Sequence, residues 1–159
     1  MATITASMVR ELRTETGAAM MDCKKALSAC DGDVQAAKDH LRAQGLKTAA
    51  KKSERETSEG RVFAWISDDN KLGALIAVSC ETDFVARDEN FLSFVSQVMD
   101  AAVAAQTDDV TVIAGGDVET SRQALVQKIG ENISVRRIAA RSTDSGAVGG
   151  YVHGNSRIA

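Results

Sequence analysis

The sequence predicts an α+β protein: a small bundle of three short helices at the N-terminus, then a mainly antiparallel sheet with helices packed on one face. Three observations point there. Apolar residues repeat at helical spacing through the first 45 residues. The period changes to that of a strand at "RVFAWIS" (61–67) and stays apolar through "LGALIAVSC" (72–80). Helical spacing then returns before further strand-like runs, the order expected of an α+β layer architecture.

The elements follow in order. Ile4, Met8 and Leu12 recur every four residues, with Thr5 or Ser7 placed to cap the helix and Gly17 to end it. Met20, Cys23, Ala26, Leu27 and Cys30 mark one face of a second helix, broken by Asp31-Gly32. Asp33 is a good N-cap for a third, where Val34, Ala37 and Leu41 form a narrow stripe and Gly45 is the expected stop. Residues 46–60, "LKTAAKKSERETSEG", have few large apolar side chains and interleave lysines with Glu54, Glu56 and Glu59, so they read as a solvated helix or linker. The division expected is therefore a helical module over 1–45, a helical linker over 46–60 and an α+β core over 61–159.

In that core, Val62, Ala64 and Ile66 alternate with Phe63 and Trp65, "DDNK" supplies turn chemistry, and 72–80 completes a hairpin with a well-buried second strand. Asp88 caps a long helix carrying Phe91, Val95, Val98 and Ala102 on one side, widened by Phe94, Met99 and Val103. Another helix lies in "GGDVETSRQALVQKIGEN", with Leu125 and Ile129 inward and Gly130 ending it. "ISVRRIAA" reads as a third strand and "GAVGGYVHG" as the start of a fourth. The chain stops on "YVHGNSRIA" without a cap or tail, so a piece of a longer protein is expected.

Composition narrows the function classes. With 44% hydrophobic and 26% charged residues the chain is an ordinary globular one, and a net charge of −3 gives no general reason to expect a polyanionic partner. Its three cysteines, Cys23, Cys30 and Cys80, form no CxxC pair and read as reduced thiols. No apolar run approaches membrane-spanning length, and a cytoplasmic protein without a membrane association is expected. His40 and His153 lack the matched donors of a metal site, the glycines of "GAVGG" precede a strand and not a helix, and Asp68-Asp69-Asn70 lacks the rest of a calcium loop. No catalytic constellation assembles, so neither an enzyme nor a cofactor is expected.

Two features are left unexplained by a core. In "CETDFVARDENF" (80–91) a phenylalanine sits at a strand-to-helix corner, where it either plugs its own core or fills a pocket in another molecule. Met20 and Met21 are adjacent, and successive helical residues point about 100° apart, so both cannot face one small core.

Four segments carry a resemblance. "LRTETGAAMMDCKKAL" (12–27) and "CETDFVARDENF" (80–91) resemble the two signature motifs of elongation factor Ts, and "KIGENISVRRIAA" (128–140) and "YVHGNSRI" (151–158) are similar to further segments of that family in the same order. The resemblance implies a module like a ubiquitin-associated domain, then the first half of the family's core. It implies guanine-nucleotide exchange on the GTPase elongation factor Tu, by disturbing its magnesium and phosphate site. The residues that it places on the partner are Thr82, Asp83, Phe84 and Val85, with the Asp83-Phe84 pair pushed between helices of the nucleotide domain. Leu12, Arg13, Met20 and Met21, with Val9, would dock on a helix of that domain, and His153 would reach the partner elsewhere. Two departures stand out: Ala19 where a glycine is common, which would stiffen the loop before the second helix, and Ser156 where the family often has glycine, which puts that turn in question. A different class, an RNA- or ribosome-associated adaptor using "LKTAAKK", is the alternative, although no direct nucleic-acid contact is expected; the sequence leaves a homodimer open.

Overall fold

The structure, a computed structural model, describes residues 3–154 and 156–159. Helix α1 spans Ala6–Thr16: Thr5 is extended and its hydroxyl accepts from Met8 N, while Gly17 at φ 68° ends the helix by returning its N–H to Arg13 O. Helix α2 spans Met20–Ala29 and α3 Val34–Lys52, the latter capped by Asp33, whose carboxylate accepts from Ala36 N at 2.9 Å. Val9, Leu12, Cys23, Ala26, Leu27, Ala37 and Leu41 close a small core among the three.

Gly45 does not stop α3. The helix runs seven residues past it, to Lys52, because Gly45 is buried where α3 crosses a later helix. A Cβ there would lie 2.7 Å from Gln127 Oε1, so the missing side chain serves close packing and not chain reversal. The segment 46–52 is thus a continuation of the bundle's third helix.

Strands β1 (Glu59–Ile66), β2 (Leu72–Cys80) and β3 (Ile133–Ser142) form an antiparallel sheet in the order β1-β2-β3. β2 is central, paired on both sides, which is why its sequence is nearly all apolar. The turn between β1 and β2 is held by Ser67, whose hydroxyl accepts from Lys71 N and Leu72 N. A register shift makes Arg136 an extra residue in β3: Ala77 pairs with Arg137 but Val78 with Val135. The bulge aims the Arg136 guanidinium at Ser79 Oγ (3.1 Å) and Thr57 Oγ1 (2.7 Å).

Helix α4 (Glu89–Ala105), a short α5 (Val110–Ile113) and α6 (Gly116–Ile129) cover one face of the sheet. The stripe Phe91, Val95, Val98 and Ala102, with Phe94 and Met99, is buried in one cluster with Ile76, Val78, Cys80, Val126 and Ile133. Burial of Phe91 alone contributes on the order of 3–5 kcal/mol against truncation to alanine. The single turn α5 is too short to show a helical period, and the sequence does not predict it.

Among the described residues the expected fourth strand does not form. Residues 146–154 are irregular, their four glycines disfavouring an extended ladder. The tail still returns along the outer edge of β1, where Val62 N donates to Ser156 O at 2.7 Å. Ser156 adopts the left-handed conformation, φ 54°, that glycine takes without strain. Among the described residues no helix is long and apolar enough to cross a membrane.

Gly60 is the position where the edge strand tolerates no side chain. At φ 139°, an added Cβ would lie 2.3 Å from Val78 O and 2.6 Å from Ser79 Cα, both backbone atoms that cannot swing away. Gly60→Ala is expected to cost about 1–3 kcal/mol through that strain, seen as a thermal midpoint lowered by roughly 2–4 °C per kcal/mol. An unchanged midpoint contradicts the packing described.

Candidate functional site

The corner after β2 is built from the backbone upward. Past Cys80 the chain makes one tight descent: Ala86 N donates to Thr82 O (3.3 Å), Arg87 N to Phe84 O (3.1 Å) and Asp88 N to Val85 O (3.0 Å), giving a 3-10 turn over Val85–Arg87. Asp88 then caps α4, its carboxylate accepting from Asn90 N and Phe91 N. The Asn90 side-chain amide also donates to it and is the leading reason that its pKa lies below the usual carboxylate value.

Within such a turn neighbouring side chains diverge by about 120°. Val85 and Ala86 point into the core, which leaves Phe84 pointing out. Its ring is 82% exposed. An aromatic so exposed contributes little to its own fold, which removes the reading of Phe84 as a core plug. Asp83 beside it is ion-paired with Arg87 at 2.7 Å on the surface, worth about 0–1 kcal/mol.

Beneath the ring the corner is tied to the start of β3. Thr82 N donates to Glu131 Oε2 at 3.0 Å and Thr82 Oγ1 to Glu131 Oε1 at 2.7 Å. In the opposite sense Asn132 N donates to Glu81 Oε1 at 2.6 Å. The buried Asn132 amide reaches the Arg55 and Ser53 carbonyls at 2.8 and 3.3 Å, and the Arg55 guanidinium lies 3.5 Å from Glu81. Sequence reasoning missed Glu131 and Asn132. Their signal was weak: two polar residues between a left-handed Gly130 and a buried strand.

The second group lies on the helical bundle. Arg13, Met20 and Met21 are exposed, the methionines at 46% and 59%, so both thioethers face water instead of one facing each way. Ala19 sits extended as the residue before α2, without a side-chain cap. Leu12, with no exposed surface, and Val9 belong to the bundle core, their i, i+3 spacing putting them on the face away from solvent. Val85 is likewise buried, in the sheet core. His153 is exposed in the tail, its Nδ1 3.2 Å from the Tyr151 hydroxyl.

The structure brings Thr82, Asp83 and Phe84 together at the corner and keeps Arg13 with the two methionines on the bundle. Lys128 of α6 runs between: it donates to Asn90 Oδ1 at 2.6 Å and passes the α1–α2 loop at Gly17. Arg157 of the tail shares a polar cleft with Asp83 and Arg87. Among the described residues no group of three His, Cys, Asp or Glu side chains could hold a metal ion.

Comparison with known proteins gives a consistent result. A family model described as "Elongation factor TS" matches residues 81–159. The chain is 53% identical over 157 residues to an elongation factor Ts of Teredinibacter turnerae, covering 98% of this chain and 53% of that protein. It is 52% identical over 159 residues to one of Hahella chejuensis, covering 100% and 55%. To one of Clostridium novyi it is 42% identical over 163 residues, covering 98% and 53%. The chain spans about half the length of these curated relatives.

Cys80 reports on the corner's interior. Its thiol donates to Thr82 O at 3.1 Å, and burial, followed by the negative charges of Glu131 and Glu59, pushes its pKa up to about 11 from 9.0. A thiol with a raised folded pKa contributes stability that is complete below pH 9.0 and is lost as pH rises through about 11. Stability is therefore expected to fall across that alkaline window, and less so in Cys80→Ala. At pH 8 an alkylating reagent is expected to modify half-exposed Cys30 well before buried Cys80. Equal labelling rates contradict the closed corner.

Proposed function

The chain belongs to the elongation factor Ts family, and from that premise we propose that it acts in guanine-nucleotide exchange on the translational GTPase elongation factor Tu. The observation that carries the reading is Phe84, 82% exposed on a corner whose chain is folded back by the Ala86 N–Thr82 O, Arg87 N–Phe84 O and Asp88 N–Val85 O hydrogen bonds. A ring held in water on a fixed turn suits insertion into a partner, because ordering it costs little on binding.

The chemistry asks for no acid, base or nucleophile. A GTPase of this kind grips its nucleotide through a phosphate loop and a magnesium ion that bridges the phosphates. A protein that binds better to the form in which that grip is lost speeds nucleotide departure. The coupling free energy is the same in both directions, so bound nucleotide weakens the factor as much as the factor weakens nucleotide. Phe84 is the proposed wedge, with Asp83 beside it and Thr82 beneath. Arg13, Met20 and Met21 form a second contact, methionine being an adaptable surface residue. His153 is the proposed third. On this reading the chain works in the cytoplasm. No observation favours the RNA-associated alternative, and Lys52 in its basic run is tied to the Gly130 carbonyl.

Release of labelled GDP from elongation factor Tu tests the proposal. The chain is expected to accelerate it. Burying a phenylalanine contributes roughly 1.5–3 kcal/mol, so Phe84→Ala is expected to lose about tenfold to a hundredfold of that acceleration. Its melting is expected to stay within about 0.5 kcal/mol of the parent's, as for other surface substitutions. A Phe84→Ala chain that accelerates release fully, or one that melts far lower, overturns the assignment.

A further inference from the structure

An exposed ring acts as a wedge only if the turn beneath it cannot yield. The turn bearing Phe84 is short and lies between β2 and α4. Five hydrogen bonds meet at Thr82: its carbonyl accepts from Ala86 N (3.3 Å) and from the Cys80 thiol (3.1 Å), and three more run through its N–H and hydroxyl. Its N–H and its hydroxyl both donate to one carboxylate, that of Glu131, at 3.0 and 2.7 Å. With its proton committed there, the Thr82 oxygen turns a lone pair toward Val85 N, 3.5 Å away, the first N–H of the 3-10 turn. The order of contacts is thus Glu131, Thr82, Val85, with Phe84 on the stretch that the last two bracket.

Glu131 itself is well placed to hold still. It follows Gly130, the left-handed end of α6, and precedes Asn132 and Ile133, both buried. Asn132 returns a bond to Glu81, so the two segments are crossed by bonds running both ways, 81 to 132 and 82 to 131. No cation pairs with Glu131 in the ion pairs of the described residues; its two oxygens are occupied by Thr82.

We propose that Glu131 is the positioning residue of the exchange corner: its carboxylate fixes Thr82, and Thr82 fixes the turn that carries Phe84 outward. The inference rests on the exchange reading for what the ring does, whereas the clamp can be measured without the partner. Glu131 acts on exchange through Phe84.

The test compares Glu131→Ala, Glu131→Gln, Phe84→Ala and the Glu131→Ala/Phe84→Ala double variant, each in the full chain, by GDP release from elongation factor Tu. Losing two bonds to a charged acceptor, Glu131→Ala is expected to lose about tenfold of the acceleration. Glu131→Gln keeps one oxygen acceptor and is expected to recover part of it. In the Phe84→Ala background Glu131→Ala is expected to change the rate less than about twofold, because residues acting as one unit are not additive. An equal loss in both backgrounds, or full activity of Glu131→Ala, overturns the proposal. Should Glu131→Ala not fold, Thr82→Val takes its place: it keeps the N–H bond, drops the hydroxyl, and is expected to show a several-fold loss that vanishes without the ring; no loss overturns the proposal. Should the parent chain fail to accelerate release, the exchange reading falls and amide hydrogen exchange decides the clamp alone. Exchange at Thr82 and Val85 is then expected to quicken about tenfold or more in Glu131→Gln while Ile76 is unchanged; unchanged rates at Thr82 and Val85 overturn it.

Discussion

The pairing of the β2 end with the β3 start through Glu131 and Thr82 underlies everything else on this molecule. It joins residues 49 positions apart at the place where the central strand leaves the sheet. From that junction the chain must do two opposed things within three residues: bury Val85 and Ala86 against α4 and hold Phe84 in water. A free loop would resolve the conflict by folding the ring back onto the apolar surface beside it, a gain of roughly 25 cal/mol for each Å² covered. Hydrogen bonds at both faces of Thr82 keep that collapse from being available at low cost. The interaction is local in space, distant in sequence and invisible to periodicity.

The same logic separates what the amino-acid sequence disclosed from what it did not. Helix ends were legible because their signals are chemical and adjacent: Thr5 and Asp33 cap, and Gly17 and Gly130 take the left-handed conformation. The hairpin and the buried central strand were legible because β2 is paired on both sides and needs apolar residues throughout. Gly45 misled because a glycine after an apolar stripe looks like a stop, whereas its role is set by Gln127, far along the chain. The tail misled for the opposite reason: alternation around glycines resembles a strand, yet it makes isolated contacts to β1 and no ladder.

At the candidate site, the corner and the adjacent methionines were legible in the amino-acid sequence, since a core has no use for them. Individual burial was not. Leu12 and Val85 lie within motifs that carry the resemblance, and a motif records shared residues without separating those that hold the scaffold from those that face outward. Glu131 went unseen because nothing near it in sequence explains a carboxylate at the start of a buried strand; its partner, Thr82, lies 49 residues earlier, in the corner motif. The two segments are one physical unit, a ring and the clamp beneath it.

A fluorine placed on the ring at position 84 examines the central claim most directly, by the difference in its resonance between H2O and D2O. In the free chain that difference is expected to be large, as for a ring 82% exposed. On adding nucleotide-free elongation factor Tu it is expected to vanish as the ring leaves water. A complex that forms while the ring keeps its full solvent response would contradict the claim that Phe84 is the wedge.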